Sequence, residues 1–161
     1  DVDGLGSRNA GNLSLGFPSF IPSTADAVLA VLRDAGLSVA GRHAVVVGRS
    51  NIGGKPIALA LLRHDATVTI CHSHTQDLAS ITRGADVLVV STGRPRSITA
   101  EMVKPGAIVL DAGINPLAGS VVGDVDFARV QEVASFLTPV PGGLGPLTRL
   151  MLIRHTLMGP Q

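Results

Sequence analysis

A glycine-rich segment at residues 48–56 has the composition of a turn that binds phosphate. It reads Gly-Arg-Ser-Asn-Ile-Gly-Gly-Lys-Pro and follows the β-branched run 44–47. Gly48 allows a tight exit from a strand, and Gly53 and Gly54 allow close approach of a ligand to the backbone. The N-terminus of a following helix would then face an anion. In a sheet built from strand–helix–strand units, such a turn is a common site for a nucleotide phosphate.

Two familiar nucleotide motifs do not match this turn. The G-x-G-x-x-G fingerprint needs a glycine where Ser50 stands. A P-loop needs Lys and a hydroxyl residue after its second glycine, whereas Gly54 and Lys55-Pro56 follow here. The segment alone therefore leaves open a plain connection between a strand and a helix.

The end of the next strand indicates which nucleotide the turn would bind. NAD-binding sheets place an Asp or Glu there for the ribose 2′-hydroxyl, but segment 71–75 has no acidic residue. Arg49 in the turn and Ser73 at the strand end supply a guanidinium and a hydroxyl, which suit a phosphate dianion. The sequence therefore predicts NADP rather than NAD.

Cys71, His72 and His74 also have the residue types of a metal site. Successive strand residues point to opposite faces, and the chain has no second cysteine to complete a ligand set. No metal is expected. His43, His64 and His155 are expected at the surface, because their spacing suggests no partner.

Apolar strand-like runs alternate with helix-like segments, which predicts strand–helix–strand units with right-handed crossovers. The expected strands are 44–48, 67–71, 86–91, 107–111 and 135–137. The expected helices are 23–36, with Ser23 or Thr24 as its N-cap, and 56–62, 76–82, 99–103, 127–133 and 145–158. The predicted fold class is α/β, a doubly wound Rossmann-like parallel sheet with helices on both faces.

Composition narrows the classes of function. The chain has 161 residues, of which 45% are hydrophobic, and a net charge of +1. This balance gives no electrostatic footprint for nucleic acid, and no apolar run approaches the length of a membrane span. The single Cys71 fits a reducing compartment, so the expected location is cytoplasmic. Residues 1–22 are rich in Gly, Asn, Ser and Pro without periodicity, and are expected to form an extended connector.

Several motifs occur together in one order along the chain. They are Asp1-Val2-Asp3-Gly4, Gly48-Arg49-Ser50-x-Ile52-x-Gly54-x-Pro56, Cys71-His72-Ser73, Ser91-Thr92-Gly93-x-Pro95, Lys104-Pro105-Gly106-Ala107, Asp111-x-Gly113-Ile114-Asn115, Val122-Gly123-Asp124-Val125 and Thr138-Pro139-Val140-Pro141-Gly142-Gly143-Leu144-Gly145-Pro146-Leu147-Thr148. In this order they resemble the bifunctional methylenetetrahydrofolate dehydrogenase/methenyltetrahydrofolate cyclohydrolase family. Ser23, Ala25 and Gly53 depart from the residues usual in that family, Cys, Pro and Val.

The resemblance implies an enzyme that oxidises 5,10-methylenetetrahydrofolate with NADP, or with NAD in some members. The methenyl product is then hydrolysed to 10-formyltetrahydrofolate. Members have two domains around a cleft and commonly form homodimers. Residues 1–22 would be the interdomain connector and residues 23–161 the NAD(P)-binding domain. The expected partners are tetrahydrofolate derivatives, with neither nucleic acid nor membrane.

The resemblance also assigns roles to residues. The implied cofactor-binding residues are Thr24, Gly48, Arg49, Ser50, Ile52, Ser73, Ser91, Thr92, Gly93, Gly113, Ile114 and Thr148. The implied folate-side residues are Asp3, Pro141, Gly142 and Gly145, and spacing leaves Asp1 as an alternative to Asp3.

The family's catalytic Lys lies in a Tyr-x-x-x-Lys motif of an N-terminal domain that also holds a Gln. This chain has no Tyr, and its two lysines, Lys55 and Lys104, fall in a glycine turn and a Pro-Gly turn. We therefore expect that the N-terminal catalytic domain is absent, that no catalytic residue lies in this chain, and that the chain alone binds cofactor without turnover. Two alternatives remain: a stand-alone nucleotide-binding or dimerisation module, and another two-domain NADP dehydrogenase such as the shikimate type.

Overall fold

The computed structural model describes residues 1–117 and 119–159. Its helices are α1 (Ser7–Leu15), α2 (Ser23–Asp34), α3 (Gly54–Leu62), α4 (Leu78–Arg83), α5 (Phe127–Val130) and α6 (Leu144–Met158). Its strands are β1 (His43–Val47), β2 (Thr67–Cys71), β3 (Val87–Val90), β4 (Ile108–Asp111), β5 (Asn115–Leu117), β6 (Ser120–Val122) and β7 (Phe136–Leu137). A short 3-10 helix covers Ala100–Met102. Residues 118, 160 and 161 of the predicted domain lie outside the described part.

Five strands form one parallel sheet in the order β2-β1-β3-β4-β7. The chain moves outward from β1 to β2, and then returns to place β3 on the other side of β1. The carboxyl ends of β1 and β3 therefore border the topological switch point, where doubly wound sheets bind ligands. Strands β5 and β6 form a separate antiparallel hairpin.

Both faces of the sheet are covered, which explains why the strands are continuous apolar runs. Ala44 and Val46 face a core shared with α2, α3 and α6. Val45 and Val47 face a second core, which includes side chains of α4 and of the segments flanking β4. The predicted doubly wound Rossmann-like parallel sheet with helices on both faces is confirmed.

The N-terminal segment differs from its prediction, because α1 forms inside the expected extended connector. The backbone N–H groups of Leu5 and Gly6 donate to the Asp1 carboxylate at 3.0 and 2.6 Å, immediately before the helix begins. Gly16 ends the helix in a left-handed conformation with φ +80°. The prediction of extended structure is wrong for Ser7–Leu15, because these contacts form between residues that no local periodicity relates.

Two further expectations at this end of the molecule are wrong. Neither Ser23 nor Thr24 caps α2; Pro22 occupies the N-cap position, and the Ser23 hydroxyl instead donates to the Asp3 carboxylate. His155 is buried rather than exposed. Its Nε2 lies 2.9 Å from Asp26 Oδ2 on α2.

The hairpin of β5 and β6 was also not predicted, because each strand has only three residues.

No helix within residues 1–117 and 119–159 is both long enough and apolar enough to cross a membrane.

Candidate nucleotide site and adjoining cleft

Two cavities lie at the carboxyl edge of the sheet. The first, the nucleotide pocket, has a volume of about 330 Å³ and is lined by Val47, Gly48, Arg49, Ser50, His72, Ser73, Leu78, Ser91, Thr92, Arg94, Ser97 and Ile98. The second, the cleft pocket, has a volume of about 690 Å³ and is lined by Thr24, Asp111, Ala112, Gly113, Ile114, Val121, Pro139, Val140, Pro141, Gly142, Gly143, Leu144, Gly145, Pro146, Thr148 and Arg149. The nucleotide pocket lies at the carboxyl ends of β1, β2 and β3, and the cleft pocket begins at the carboxyl end of β4.

The turn after β1 packs closely on the ends of the neighbouring strands because it lacks side chains where its backbone meets them. Gly48 has φ +133°, and a Cβ there would collide with the backbone carbonyl of Ser91. Its N–H donates to the carbonyl of Cys71 at 2.8 Å, which joins the turn to the end of β2. Ser50 Oγ accepts from the backbone N–H of Gly53 at 3.1 Å and holds the turn before α3.

The nucleotide pocket carries positive charge that the described chain leaves uncompensated. Arg49 and Arg94 both line it, and within residues 1–117 and 119–159 no side chain pairs with either guanidinium. No Asp or Glu of the described residues lines this pocket. Ser73, at the end of β2, adds a hydroxyl. This donor set suits a phosphate group on the ligand.

Asp124 fixes the loop that follows β3. Its side chain is fully buried, and Oδ2 accepts from Thr92 Oγ1 at 2.9 Å and from the Gly93 N–H at 3.0 Å. The Thr92 N–H donates to the same oxygen. Oδ1 accepts from Asn115 Nδ2 at 2.8 Å. One carboxylate therefore connects the wall of the nucleotide pocket to the hairpin beside the cleft.

Asp111 is the buried acid of the cleft pocket. Its carboxylate accepts from the backbone N–H groups of Gly113 at 2.9 Å, Asp124 at 3.0 Å and Val125 at 2.9 Å. Burial removes water from this carboxylate and raises the pKa of Asp111, despite these three donors. The neighbouring charge of Asp124 raises it further. Asp111 thus shapes the backbone at the end of β4.

The Pro- and Gly-rich segment 139–146 forms one wall of the cleft pocket and leads into α6. Thr24 from α2 and Thr148 from α6 reach the same cavity.

A Cβ at Gly113 would collide with the Asp124 carboxyl group, so the loop after β4 can pack this closely only with glycine.

The structure brings most of the predicted site residues to these two cavities. Gly48, Arg49, Ser50, Ser73, Ser91 and Thr92 line the nucleotide pocket. Thr24, Gly113, Ile114, Pro141, Gly142, Gly145 and Thr148 line the cleft pocket.

Three predicted residues line neither cavity. Ile52 is exposed on the glycine turn, and Gly93 contributes its N–H to Asp124. Asp3 lies against the start of α2, where its Oδ1 accepts from the Ser23 N–H at 3.0 Å.

Sequence reasoning did not identify Arg94, Leu78, Ser97 and Ile98, which complete the nucleotide pocket. Its position directly after Ser91-Thr92-Gly93 was the one signal in the sequence that could have placed Arg94 at this pocket. His72 was weighed as a metal ligand and belongs to the Cys71-His72-Ser73 motif, but no role at the pocket was predicted for it; it lines this pocket. No group of three or more His, Cys, Asp or Glu side chains suited to a metal occurs in the described part of the chain.

Comparison with known proteins agrees with this geometry. The family model for the tetrahydrofolate dehydrogenase/cyclohydrolase NAD(P)-binding domain matches residues 22–160. Bifunctional protein FolD of Geobacillus thermodenitrificans is 54% identical over 158 residues, which cover 98% of this chain and 56% of that relative.

Solved structures give the same result. The bifunctional FolD methylenetetrahydrofolate dehydrogenase/cyclohydrolase of Campylobacter jejuni has a TM-score of 0.96 and 45% identity, covering 98% of this chain and 56% of that one. The Trypanosoma brucei enzyme, complexed with NADP cofactor and inhibitor, has a TM-score of 0.93 and 42% identity, covering 98% of this chain and 57% of that one.

The chain spans about half the length of the relatives it matches. The match covers both cavities and every strand of the sheet. The chain therefore belongs to the tetrahydrofolate dehydrogenase/cyclohydrolase family, and its residues 22–160 correspond to the NAD(P)-binding domain of that family.

Proposed function

We propose that this chain is the NADP-binding half of an enzyme that oxidises 5,10-methylenetetrahydrofolate to 5,10-methenyltetrahydrofolate. The same enzyme would hydrolyse the product to 10-formyltetrahydrofolate. Relatives that are 54% and 50% identical to this chain over 158 and 157 aligned residues are named as bifunctional proteins. Family membership favours this proposal over a dehydrogenase of the shikimate type.

The observation that carries the cofactor assignment is the charge of the nucleotide pocket. Arg49 and Ser73 stand at the ends of β1 and β2, and none of the described acidic residues lines the cavity. A carboxylate at the end of β2 would hold a 2′-hydroxyl and repel a 2′-phosphate. The Trypanosoma relative contains NADP. We assign the 2′-phosphate to Arg49 and Ser73, with Ser50, Ser91 and Thr92 beside the remaining nucleotide.

The cleft pocket would hold the nicotinamide end of the cofactor and the folate. A bound NADP supplies the acceptor for a hydride from the substrate's methylene carbon. Thr24, Gly113, Ile114 and Thr148 would position the nicotinamide ribose and ring. The 139–146 wall, through Pro141, Gly142 and Gly145, would orient the substrate and exclude water.

Asp3 is the better candidate than Asp1 for an acidic contact with the folate. Both oxygens of the Asp1 carboxylate accept hydrogen bonds at the start of α1, Oδ1 from the Leu5 N–H and Oδ2 from Asn9 Nδ2 at 2.8 Å. In Asp3, the two hydrogen bonds with Ser23 use Oδ1 alone. Asp3 is held by Ser23, the residue before Thr24, so it lies near the helix end that enters the cleft pocket.

Cofactor titration tests the assignment. Isothermal titration calorimetry of this chain should show NADP binding about ten- to a hundredfold tighter than NAD, as expected for a charge-assisted hydrogen-bond pair. Arg49→Ala should remove most of that difference and leave NAD binding nearly unchanged. Arg63→Ala, which changes an exposed residue at the end of α3, serves as the charge-matched control. Equal affinities in the unmodified chain would overturn the NADP assignment.

We also propose that the chain alone binds cofactor without turnover. The sequence has no Tyr, so it cannot contain the family's Tyr-x-x-x-Lys motif. NADPH formation from methylenetetrahydrofolate should be absent with this chain and should appear when the rest of the parent protein is supplied. Turnover by the chain alone would contradict this proposal and would require a catalytic role for Lys55 or Lys104.

The homodimer and the cytoplasmic location also remain proposals. Exposed apolar side chains on α6, including Leu150, Ile153 and Leu157, offer surface for another domain or subunit. Sedimentation equilibrium tests the dimer, and fractionation of cells that contain the protein tests the compartment.

A further inference from the structure

The nucleotide pocket has an apolar floor and a polar rim. Val47 and Ile98 are buried in the core beneath the sheet edge, and Leu78 packs against the same core from α4. An apolar surface of this kind, edged by a few polar groups, suits the face of a purine base.

No Phe, Tyr or Trp side chain of the described residues is available to stack on that base. The sequence contains neither Tyr nor Trp. Its Phe residues, Phe17, Phe20, Phe127 and Phe136, do not line the pocket. The planar side chains that do line it are Arg49, Arg94 and the imidazole of His72.

Two of these three planar groups have other roles. Arg49 is the residue proposed for the 2′-phosphate. The His72 ring accepts from the His74 N–H at 3.2 Å through Nδ1 and packs edge-on against the His74 ring, with centroids 6.0 Å apart. Arg94 is exposed, lines the pocket and has no pairing partner among the described residues.

The backbone of Arg94 is nevertheless held in place. Its N–H donates to Thr92 Oγ1 at 3.2 Å, and that hydroxyl donates to the buried Asp124 carboxylate. The side chain therefore leaves a fixed point on the β3 edge of the pocket. Ser73 lies at the opposite edge, two strand spacings away, or about 10 Å.

From this geometry we infer that Arg94 stacks its guanidinium on the adenine of the bound nucleotide and closes the pocket from the β3 side. The inference rests on the proposed cofactor-binding function and adds a residue to it. Arginine stacks on aromatic planes through its planar, delocalised cation, and the point charge of lysine reproduces that contact poorly. Arg94 would then strengthen binding of every adenine dinucleotide equally, whereas Arg49 would select NADP.

The test compares Arg94→Ala, Arg94→Lys and Arg96→Ala, each titrated calorimetrically with NADP, NAD and nicotinamide mononucleotide. Arg96 carries the same charge on the same loop but does not line the pocket. Arg94→Ala should weaken NADP and NAD by the same factor, about three- to tenfold. Nicotinamide mononucleotide, which lacks adenine, should be unaffected. Arg94→Lys should lose most of the same affinity, and Arg96→Ala should change it by no more than about twofold.

Three results would overturn the inference. A loss confined to NADP would mean that Arg94 contacts the 2′-phosphate. Full retention in Arg94→Lys would mean that its charge alone acts on the ligand. Unchanged binding in Arg94→Ala would mean no contact. Failure of the unmodified chain to bind either dinucleotide would instead refute the proposed function. Melting temperatures of all variants verify that each is folded.

Discussion

Asp111 and Asp86 show how one residue type acquires opposite properties in this fold. Burial beside the cleft raises the pKa of Asp111. Asp86, on the loop before β3, accepts from Lys104 Nζ at 2.6 Å and from the His43 N–H at 3.0 Å. These contacts lower the pKa of Asp86. The two carboxylates therefore contribute to stability with opposite dependence on pH.

The prediction compares Asp111→Asn and Asp86→Asn by urea unfolding across the acidic range. Asp111 keeps its proton to higher pH in the native protein than in the unfolded chain, because its native pKa is raised above 3.8. The parent should therefore lose stability relative to Asp111→Asn as the pH rises from 3.8 through that native pKa. Asp86 keeps its charge to lower pH in the native protein than in the unfolded chain, because its native pKa is lowered below 3.8. The parent should therefore lose stability relative to Asp86→Asn as the pH falls from 3.8 through that native pKa. These assignments would be contradicted if the stability difference between parent and variant changed in the same direction with pH for both substitutions.

At the scale of elements, the close approach of the turn after β1 to Ser91, the residue after β3, depends on Gly48. Gly48→Ala should destabilise the chain by more than about 2 kcal/mol and abolish nucleotide binding, because the Cβ would collide with the Ser91 carbonyl. Gly36→Ala is the matched control. Gly36 also has positive φ, +68°, but open space surrounds its Cβ position.

The Gly36 control should cost only about 1 to 2 kcal/mol, the strain of the left-handed backbone alone. Calorimetric titration with NADP and urea unfolding measure both variants. Nucleotide binding by Gly48→Ala at parental affinity would show that the turn after β1 does not shape the pocket.

The strands of the sheet were predictable because their burial on both faces leaves continuous β-branched runs, as in β1. The positions of Arg49 and Ser73 at one edge of the sheet were predictable as well, because the carboxyl ends of parallel strands lie at the same edge. The role of Asp124 was not predictable, because it binds Thr92 across 32 residues of sequence. Helix α1 was missed for a different reason. The Asp1 contacts that precede it are local, but its residues show no apolar periodicity typical of a helix.

At the scale of the whole molecule, the N-terminal segment is tied to both ends of the domain. His155 on α6 lies 3.0 Å from the Val2 carbonyl through Nδ1 and 2.9 Å from Asp26 Oδ2 on α2 through Nε2. Asp3 binds the first residue of α2, Ser23. Helix α2 packs against α6, so one buried imidazole joins the helices behind the cleft to the first residues of the chain.

His155→Phe should release the N-terminal segment while preserving the ring that packs beside Phe20, whose centroid lies 5.5 Å away. The change removes the hydrogen bonds to Val2 and Asp26 and should cost about 2 to 3 kcal/mol, because two oxygen acceptors lose a buried partner. His64→Phe, at an exposed position after α3, removes one hydrogen bond to the Ala60 carbonyl at 2.9 Å and should cost no more than about 1 kcal/mol. Hydrogen exchange should accelerate at residues 1–20 in His155→Phe alone. Unchanged exchange there would mean that the contact of Asp3 with Ser23 suffices to hold the segment, and that His155 acts only between the two helices.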